Sequence, residues 1–214
     1  MQKIITVEEA ISKIKDNAVV MVGGFMAGGS PKQLLEALAN SPITGLTLIC
    51  NDTAFPDKGV GQLIVNGKVK KVITSHIGTN PVTIDKMNNN EIEVEFVPQG
   101  TLAERIRCGG AGLGGFLTPT GMGTVVANGK PVIQVDGRDY LLEKPLKADI
   151  ALIGAFRGDK EGNLVYRGTC QNFNPLMAMA AETVIAEIRM LVEPGEIDME
   201  LVHTPSIFVD HIVV

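Results

Sequence analysis

The chain has 214 residues, a net charge of -5, 45% hydrophobic residues and 20% charged residues. This length and hydrophobic content can fill a large core, so we expect an ordered globular protein. The negative charge and an aromatic content of only 4% argue against a protein that neutralises phosphate chains or stacks on bases, and no nucleic-acid partner is expected.

The first predicted elements are a helix, a buried strand and a second helix. Thr6 and Glu9 have the spacing of a capping box, which predicts a helix that runs to about residue 15. Residues 18–22 form a continuous β-branched and apolar run, typical of a strand that is covered on both faces. Ser30 followed by Pro31 then predicts the start of a second helix, with proline at its first position.

Strands and helices continue to alternate through the first half of the chain. Buried strands are predicted at residues 46–50, 69–74 and 94–97, and helices at residues 60–65, 83–87 and 101–108. Thr101 and Glu104 predict a second capping box at the start of the last of these helices. The alternation predicts an α/β fold with an open, parallel-rich sheet and flanking helices.

The C-terminal half is predicted to be richer in β-hairpins. Asp136-Gly137 separates two strand-like segments at residues 132–135 and 140–142, which is a strong hairpin signal. Further buried strands are expected at residues 148–153 and 183–186. Because no low-complexity linker or internal repeat interrupts the sequence, we expect residues 1–214 to form a single domain with a β-rich insertion.

The turn between the first buried strand and the second helix is rich in glycine. Residues 23–31 read Gly-Gly-Phe-Met-Ala-Gly-Gly-Ser-Pro. Helix N-termini expose unpaired N–H groups with partial positive charge, and glycine lets the backbone approach a ligand closely. The turn therefore predicts a site for a phosphate or a developing oxyanion. It is not a nucleoside-triphosphate loop, because Gly29 stands where a lysine should follow Gly28.

A second glycine cluster, residues 110–115, matches the G-x-G-x-x-G pattern of dinucleotide-binding proteins, and Asp136 lies near the distance expected of a ribose-binding acid. However, residues 102–107 are charged at helical spacing, where a buried strand is required. Pro119 and Gly121 would break the helix that should follow. The context argues against a nicotinamide cofactor, which remains as an alternative.

Two polar residues follow predicted strands directly. Asn51 comes after the strand at residues 46–50, and Gln99 comes shortly after the strand at residues 94–97. Ligands bind outside the carboxyl ends of strands in open parallel sheets. Amide side chains at these ends can donate to an oxyanion without themselves titrating. We therefore predict that Asn51 and Gln99 act together with the glycine-rich turn.

Other reactive residue types have structural explanations. The three histidines, His76, His203 and His211, share no metal-binding spacing, and no metal site is expected. The three widely separated cysteines fit no disulfide framework, which favours a reducing cytoplasm. No signal peptide is recognisable, and apolar runs such as residues 18–22 are far too short to span a bilayer, so no membrane partner is expected. Glu104 is explained by its predicted capping box.

Several stretches of the chain resemble the family I CoA-transferases. The strongest likeness is to the N-terminal signature of that family, at residues 16–31, and further likeness is found at residues 51–55, 75–81, 98–107, 109–121 and 172–175. Residues 75–81 make the resemblance closest to the α subunits of two-subunit bacterial enzymes that act on acetate, butyrate and acetoacetate.

The resemblance implies an open α/β fold and a similarly folded β-subunit partner, with an α2β2 assembly. It implies that CoA passes between acyl-CoA and short-chain carboxylic acids by a ping-pong mechanism through an acylated glutamate. The family's glutamate lies in a Ser-Glu-Asn-Gly motif of the β subunit, and this motif is absent here. The chain would therefore be inactive alone, with CoA and acyl-CoA as substrates and no permanently bound cofactor.

The resemblance also implies roles for individual residues. Asn51 and Gln99 would border the thioester oxygen and the glutamate. The glycine-rich turn would contact CoA through Gly24, Phe25, Met26, Ala27, Gly28, Gly29 and Ser30.

Two other functions remain as alternatives. One is a nicotinamide-dependent oxidoreductase that uses the second glycine cluster, and the other is a non-catalytic CoA- or phosphosugar-binding module of similar fold. The sequence does not identify the preferred acid, because a pocket discriminates one methylene by only about 1–3 kcal/mol.

Overall fold

The structure is a computed structural model that describes residues 3–214. The helices are α1 (Val7–Ser12), α2 (Lys32–Asn40), α3 (Gly61–Val65), α4 (Pro81–Asn88), α5 (Gln99–Gly110) and α6 (Asn174–Ala178). The strands are β1 (Val19–Val22), β2 (Leu46–Cys50), β3 (Val69–Thr74), β4 (Glu93–Phe96), β5 (Phe116–Thr118), β6 (Val132–Val135), β7 (Arg138–Glu143), β8 (Ala148–Ala155), β9 (Arg157–Asp159), β10 (Leu164–Val165), β11 (Ala181–Ile188), β12 (Leu191–Val192) and β13 (His211–Val213). None of the helices in this part of the chain is long and apolar enough to cross a membrane.

The centre of the fold is a seven-stranded sheet in the order β13-β11-β8-β1-β2-β3-β4. Every pairing in it is parallel. This confirms the predicted α/β class with a parallel-rich sheet. The predicted strands at residues 46–50 and 69–74 have the observed bounds of β2 and β3.

The sheet separates two hydrophobic cores because successive side chains of a strand point to opposite faces. In β1, Val20 and Val22 pack into one core together with the leucines of α2, whereas Met21 packs into the other. That second core also contains Leu102 and Ile106 of α5. Since both faces of the sheet are covered, its central strands are continuous apolar runs.

The order of the strands creates a crevice beside β1. From β1 the chain runs outward through β2 and β3 to β4, and it later returns to the other side of β1 to form β8. The connections on the two sides of β1 therefore diverge at the carboxyl ends of β1 and β8. Crevices of this kind are where open parallel sheets bind their ligands.

Predicted helix starts and ends differ from the structure by a few residues, as α1 and α2 show. α1 has the predicted capping box between Thr6 and Glu9, but it ends at Ser12 rather than near residue 15. The cap of α2 is Pro31, and no side chain caps this helix.

The predicted capping box of Thr101 and Glu104 is wrong. α5 begins at Gln99 after Pro98, whose φ of -52° suits the start of a helix. Thr101 is therefore buried inside the helix, and Glu104 pairs with Arg107 at 2.9 Å instead.

The C-terminal half contains the predicted hairpin together with three further strands of the central sheet. β6 and β7 are antiparallel, and Asp136 and Gly137 between them both have positive φ, as a type I′ turn requires. β5 joins them in one three-stranded sheet, and β9, β10 and β12 form another. The β-rich half thus adds two small three-stranded sheets, one of them the hairpin sheet of β5, β6 and β7, to a central sheet that continues through β8, β11 and β13.

A buried carboxylate connects the hairpin sheet to the rest of the molecule. The side chain of Glu143, at the end of β7, is only 2% exposed and lies 2.5 Å from Lys130 Nζ. Its second oxygen lies 3.9 Å from Arg105 of α5, which also pairs with Glu95 of β4 at 2.9 Å. Removing one cation from this network would leave the Glu143 carboxylate buried without its partner, so the intact pairs hold α5 and the hairpin sheet in register.

We expect Lys130→Met to lower the free energy of unfolding by about 1.5–3 kcal/mol, because it leaves Glu143 buried with only the more distant Arg105. Lys86→Met is a matched control, since Lys86 is equally exposed (23% against 25%) but pairs with Glu91, which is 50% exposed. The control should lose only about 0–1 kcal/mol. Urea denaturation measures both, and equal losses would contradict the role given to Glu143.

Candidate active site

The glycine loop, residues 23–31, lies at the crevice between β1 and β8. Phe25 and Gly28 exchange two main-chain hydrogen bonds of 2.9 and 2.8 Å, which close a tight turn. The two residues between them, Met26 and Ala27, have φ values of 48° and 67°. Non-glycine residues are strained in this left-handed region, and such strain is concentrated at functional sites. The turn directs Phe25 and Met26 outward, with 46% and 40% of their surfaces exposed.

A buried carboxylate holds the turn from the β2 side. Asp52 follows Asn51 after β2 and is 5% exposed. Its Oδ2 accepts hydrogen bonds from the main-chain N–H of Met26 at 2.9 Å and from the side chain of Asn51 at 2.6 Å. Its Oδ1 accepts from the N–H of Ala54 at 2.7 Å. Asp52 therefore fixes the strained residue Met26 relative to Asn51.

Two asparagines hold the loop from the opposite side. Asn174 is fully buried, and its amide accepts from Gly154 N–H at 3.1 Å and donates to the carbonyls of Gly29 and Cys170 at 3.1 and 2.8 Å. Asn172 accepts from Gly24 N–H at 3.1 Å and donates to the Gly28 carbonyl at 3.2 Å. The loop is thus attached by side chains to β8 and to the start of α6.

The first two glycines of the loop cannot be replaced without displacing these contacts. A Cβ on Gly23 would lie 1.7 Å from Asn174 Oδ1. A Cβ on Gly24, whose φ is +137°, would lie 2.0 Å from Ser30 Oγ. Glycine is therefore required here by close approach and by backbone conformation.

Ser75 links the main chain at Asn51 to the side chain of Gln99. It follows β3, and its hydroxyl lies 2.7 Å from the main-chain carbonyl of Asn51 and 3.2 Å from Gln99 Oε1, sharing its single proton between them. This contact uses the amide oxygen of the exposed Gln99 and leaves its amide nitrogen to donate elsewhere. Asn51 is buried, and within residues 3–214 its Oδ1 has no hydrogen-bond partner.

An open apolar cavity of about 450 Å³ begins beside Gln99. We call it the Gln99 cavity. Phe25 of the glycine loop forms one wall, Gln99 and Ala103 of α5 form another, and Phe173 and Leu176 form the third. The cavity therefore connects the loop, the predicted oxyanion donor and the start of α6 in one site.

Cys50 lies beneath the loop but is not a candidate nucleophile. It is buried, and it lines a very small cavity together with Gly23, Gly24 and Asp52. Burial, assisted by the negative charge of Asp52, raises the pKa of the Cys50 thiol to about 12. A thiol reacts as its thiolate, so Cys50 stays protonated and unreactive near neutral pH.

The second glycine cluster does not have the setting of a nicotinamide site, and that interpretation is wrong. Gly110 is the last residue of α5, so the cluster lies at the C-terminal end of a helix, where partial negative charge repels phosphate. A Cβ on Gly109 would lie 1.9 Å from the Leu146 carbonyl, and one on Gly110 would lie 2.7 Å from Met179. These glycines allow α5 to pack against neighbouring segments, and Asp136 belongs to the hairpin turn.

Sequence reasoning did not assign roles to Asp52, Ser75, Asn172 or Asn174. Ser75 stands at the end of a predicted strand, as Asn51 does, so the same positional signal could have identified it. Asn172 and Asn174 belong to a stretch noted for its resemblance, but their contacts with the glycine loop depend on the tertiary fold.

Comparison with known proteins identifies the family. The sequence pattern of the coenzyme A transferase family matches residues 4–214. This chain belongs to the coenzyme A transferase family. The acetate CoA-transferase subunit alpha of Escherichia coli K12 is 55% identical over 212 residues, which cover 99% of this chain and 96% of that protein. The acetoacetyl-CoA:acetate/butyrate CoA transferase alpha subunit of Clostridium acetobutylicum is 51% identical over 211 residues, covering 99% and 97%.

Solved structures share the fold of this CoA-transferase family member. An acyl-CoA transferase from E. coli O157:H7, determined as a thioester complex with CoA, superposes with a TM-score of 0.88 at 24% identity. The match covers 100% of this chain and 47% of the solved one. This chain therefore spans about half the length of that transferase.

We expect Asn174→Ala to destabilise the protein by about 1–3 kcal/mol for each main-chain group that loses its buried partner. The affected groups are the N–H of Gly154 and the carbonyls of Gly29 and Cys170. Asn88→Ala, at the exposed end of α4, is the control and should change stability by no more than about 0.5 kcal/mol. Urea denaturation compares the two, and an unchanged midpoint for Asn174→Ala would refute its bracing role.

Proposed function

We propose that this chain is the α subunit of a short-chain acyl-CoA:carboxylate CoA-transferase that acts on acetate, butyrate or acetoacetate. In this proposal CoA and acyl-CoA are substrates rather than permanently bound cofactors. The partner is a β subunit, in an α2β2 assembly.

The observation that carries the proposal is the braced glycine loop beside Gln99 at the carboxyl edge of the sheet. A strained turn that side chains hold from both sides is preorganised, so it does not have to rearrange as charge develops on a substrate. The sequence likeness to the two alpha subunits described above supports the same function.

The proposed chemistry requires a carboxylate from the partner. A glutamate of the β subunit attacks the acyl-CoA carbonyl, and the CoA thiolate leaves to give an acyl-glutamyl anhydride. The thiolate then attacks the glutamyl carbonyl and displaces the carboxylic acid, which leaves a glutamyl-CoA thioester. An incoming acid reverses both steps, so one exchange is divided into several easier ones.

This chain contributes binding and charge stabilisation to that sequence of steps. In the proposal, residues 24–30 hold the CoA portion, and the Gln99 amide donates to the oxyanion that forms at the attacked carbonyl. Asn51 borders the same carbonyl. The buried contact of its amide nitrogen with Asp52 fixes its orientation.

Gln99→Ala should lower kcat by about 10²–10³, the loss seen when one oxyanion donor is removed, with little change in KM. The reason is that this donor acts mainly on charge that is present only in the transition state. Gln62→Ala, in the first turn of α3 and outside the site, should leave both constants unchanged. Steady-state kinetics of the complex with the β subunit tests this, and a rise in KM alone would make Gln99 a binding residue.

The isolated chain should show no acyl exchange and form no covalent CoA adduct, because the Ser-Glu-Asn-Gly motif is absent from it. Co-expression with the β subunit should produce activity. Borohydride reduction of the thioester intermediate should then label the β subunit alone. Mass spectrometry locates the label, and a modified glutamate within residues 1–214 would contradict the proposal that the β subunit supplies the nucleophile.

A further inference from the structure

The wall of the Gln99 cavity is largely apolar. Phe173 is buried beneath it, Leu176 and Ala103 are partly buried, and Phe25 closes it from the glycine loop. Besides the residues of α5, Thr169 and Asn172 contribute polar groups to the wall of the cavity. A volume of about 450 Å³ is in the range of small-molecule sites, which combine an apolar body with a few polar groups that fix orientation.

The polar groups of the cavity belong to the candidate active site. Gln99 is connected through Ser75 to Asn51, and Asn172 holds Gly24 and Gly28 of the glycine loop. A carbonyl placed within reach of the Gln99 amide would therefore have the apolar walls immediately beside it. The substituent on that carbonyl is the group that would enter the cavity.

Charge in the wall limits what this substituent can be. None of the eight described residues that line the cavity is ionisable with a full charge at neutral pH. A second carboxylate at the far end of a substrate would find no cationic partner among these eight residues. A hydrocarbon chain would gain by leaving water.

We propose that the Gln99 cavity holds the hydrocarbon tail of the acyl group and that one residue in its wall sets the length of tail it accepts. This rests on the proposed transferase function and adds a length-selecting residue to it. Ala103 is that residue: it lies one helical turn after Gln99 on α5, and its small side chain leaves the cavity open. A larger side chain there shortens the space for the tail without touching the reacting carbonyl.

Ala103→Leu tests the inference in the complex with the β subunit. We compare kcat/KM for acetate, butyrate, hexanoate and succinate with one acyl-CoA donor. Wild type should prefer butyrate to succinate. The variant should lose about tenfold or more in the ratio of butyrate to acetate, since even one methylene changes selectivity by about 10–200-fold.

Ala37→Leu is the matched control. Ala37 is also a partly buried helical alanine, and it lines a separate apolar groove of about 430 Å³ between α1 and α2. For Ala37→Leu, the ratio of kcat/KM for butyrate to kcat/KM for acetate should equal that of wild type. Size-exclusion chromatography and melting curves of both variants establish that the complex is still assembled and folded.

Three results of the kinetic and assembly measurements would overturn the inference. The first is a butyrate-to-acetate ratio that Ala103→Leu leaves unchanged. The second is an equal loss for every acid with a raised KM for CoA, which would place the pantetheine arm in the cavity. The third is dissociation of the complex by Ala103→Leu but not by Ala37→Leu, which would make the cavity a subunit contact.

A binding measurement separates this inference from the proposed function. Absence of acyl exchange with every acid in the wild-type complex would refute the transferase proposal only. Saturation-transfer NMR of butyrate with the same complexes then decides whether the hydrocarbon tail lies in the cavity. The butyrate methyl should receive magnetisation from wild type and from Ala37→Leu, with the signal at least halved in Ala103→Leu. Equal signals in wild type and both variants would show that the tail does not lie in the cavity.

Discussion

The buried amide of Asn174 is the contact on which the site depends. It joins the carbonyl of Gly29 in the glycine loop to the N–H of Gly154 in β8 and to the carbonyl of Cys170. β1 and β8 diverge in their connections at this point of the sheet. Main-chain hydrogen bonding with β8 holds Gly23, whose N–H donates to the Leu152 carbonyl at 3.0 Å, and the side chain of Asn174 holds Gly29 further along the loop. A side chain that can donate and accept at once suits this position, and Gly23 leaves the space that it occupies.

With one side of the loop fixed, Asp52 can hold the other side in a strained conformation. Positive φ at both Met26 and Ala27 costs free energy, so the isolated turn would not keep this conformation. The hydrogen bond from Met26 N–H to a buried carboxylate offsets part of that cost, because charge-assisted bonds are the stronger kind. The same carboxylate orients Asn51, so the conformation of the loop and the position of a predicted site residue are coupled.

Local patterns in the sequence predicted the elements that depend on local chemistry. β2 and β3 were found because buried parallel strands are continuous apolar runs, and the hairpin because Asp136-Gly137 favours a type I′ turn. The start of α5 was missed because Pro98 opens the helix two residues before the expected cap at Thr101, and the fold then buries Thr101. The position of Gln99 and Asn51 at strand ends on the same edge of the sheet was predictable from topology. The asparagines were not, since 145 residues separate Asn174 from Gly29.

The burial of Cys50 bears on the stability of the proposed thioester intermediate. Thioesters exchange readily with thiolates, and in the proposed mechanism the glycine loop that contacts CoA lies next to this residue. A free thiolate there would capture the acyl group or CoA and end the catalytic cycle in a dead-end adduct. The burial that raises the pKa of Cys50 to about 12 keeps it protonated. The same densely packed layer that supports the glycine loop therefore also keeps a reactive thiolate from forming beside it.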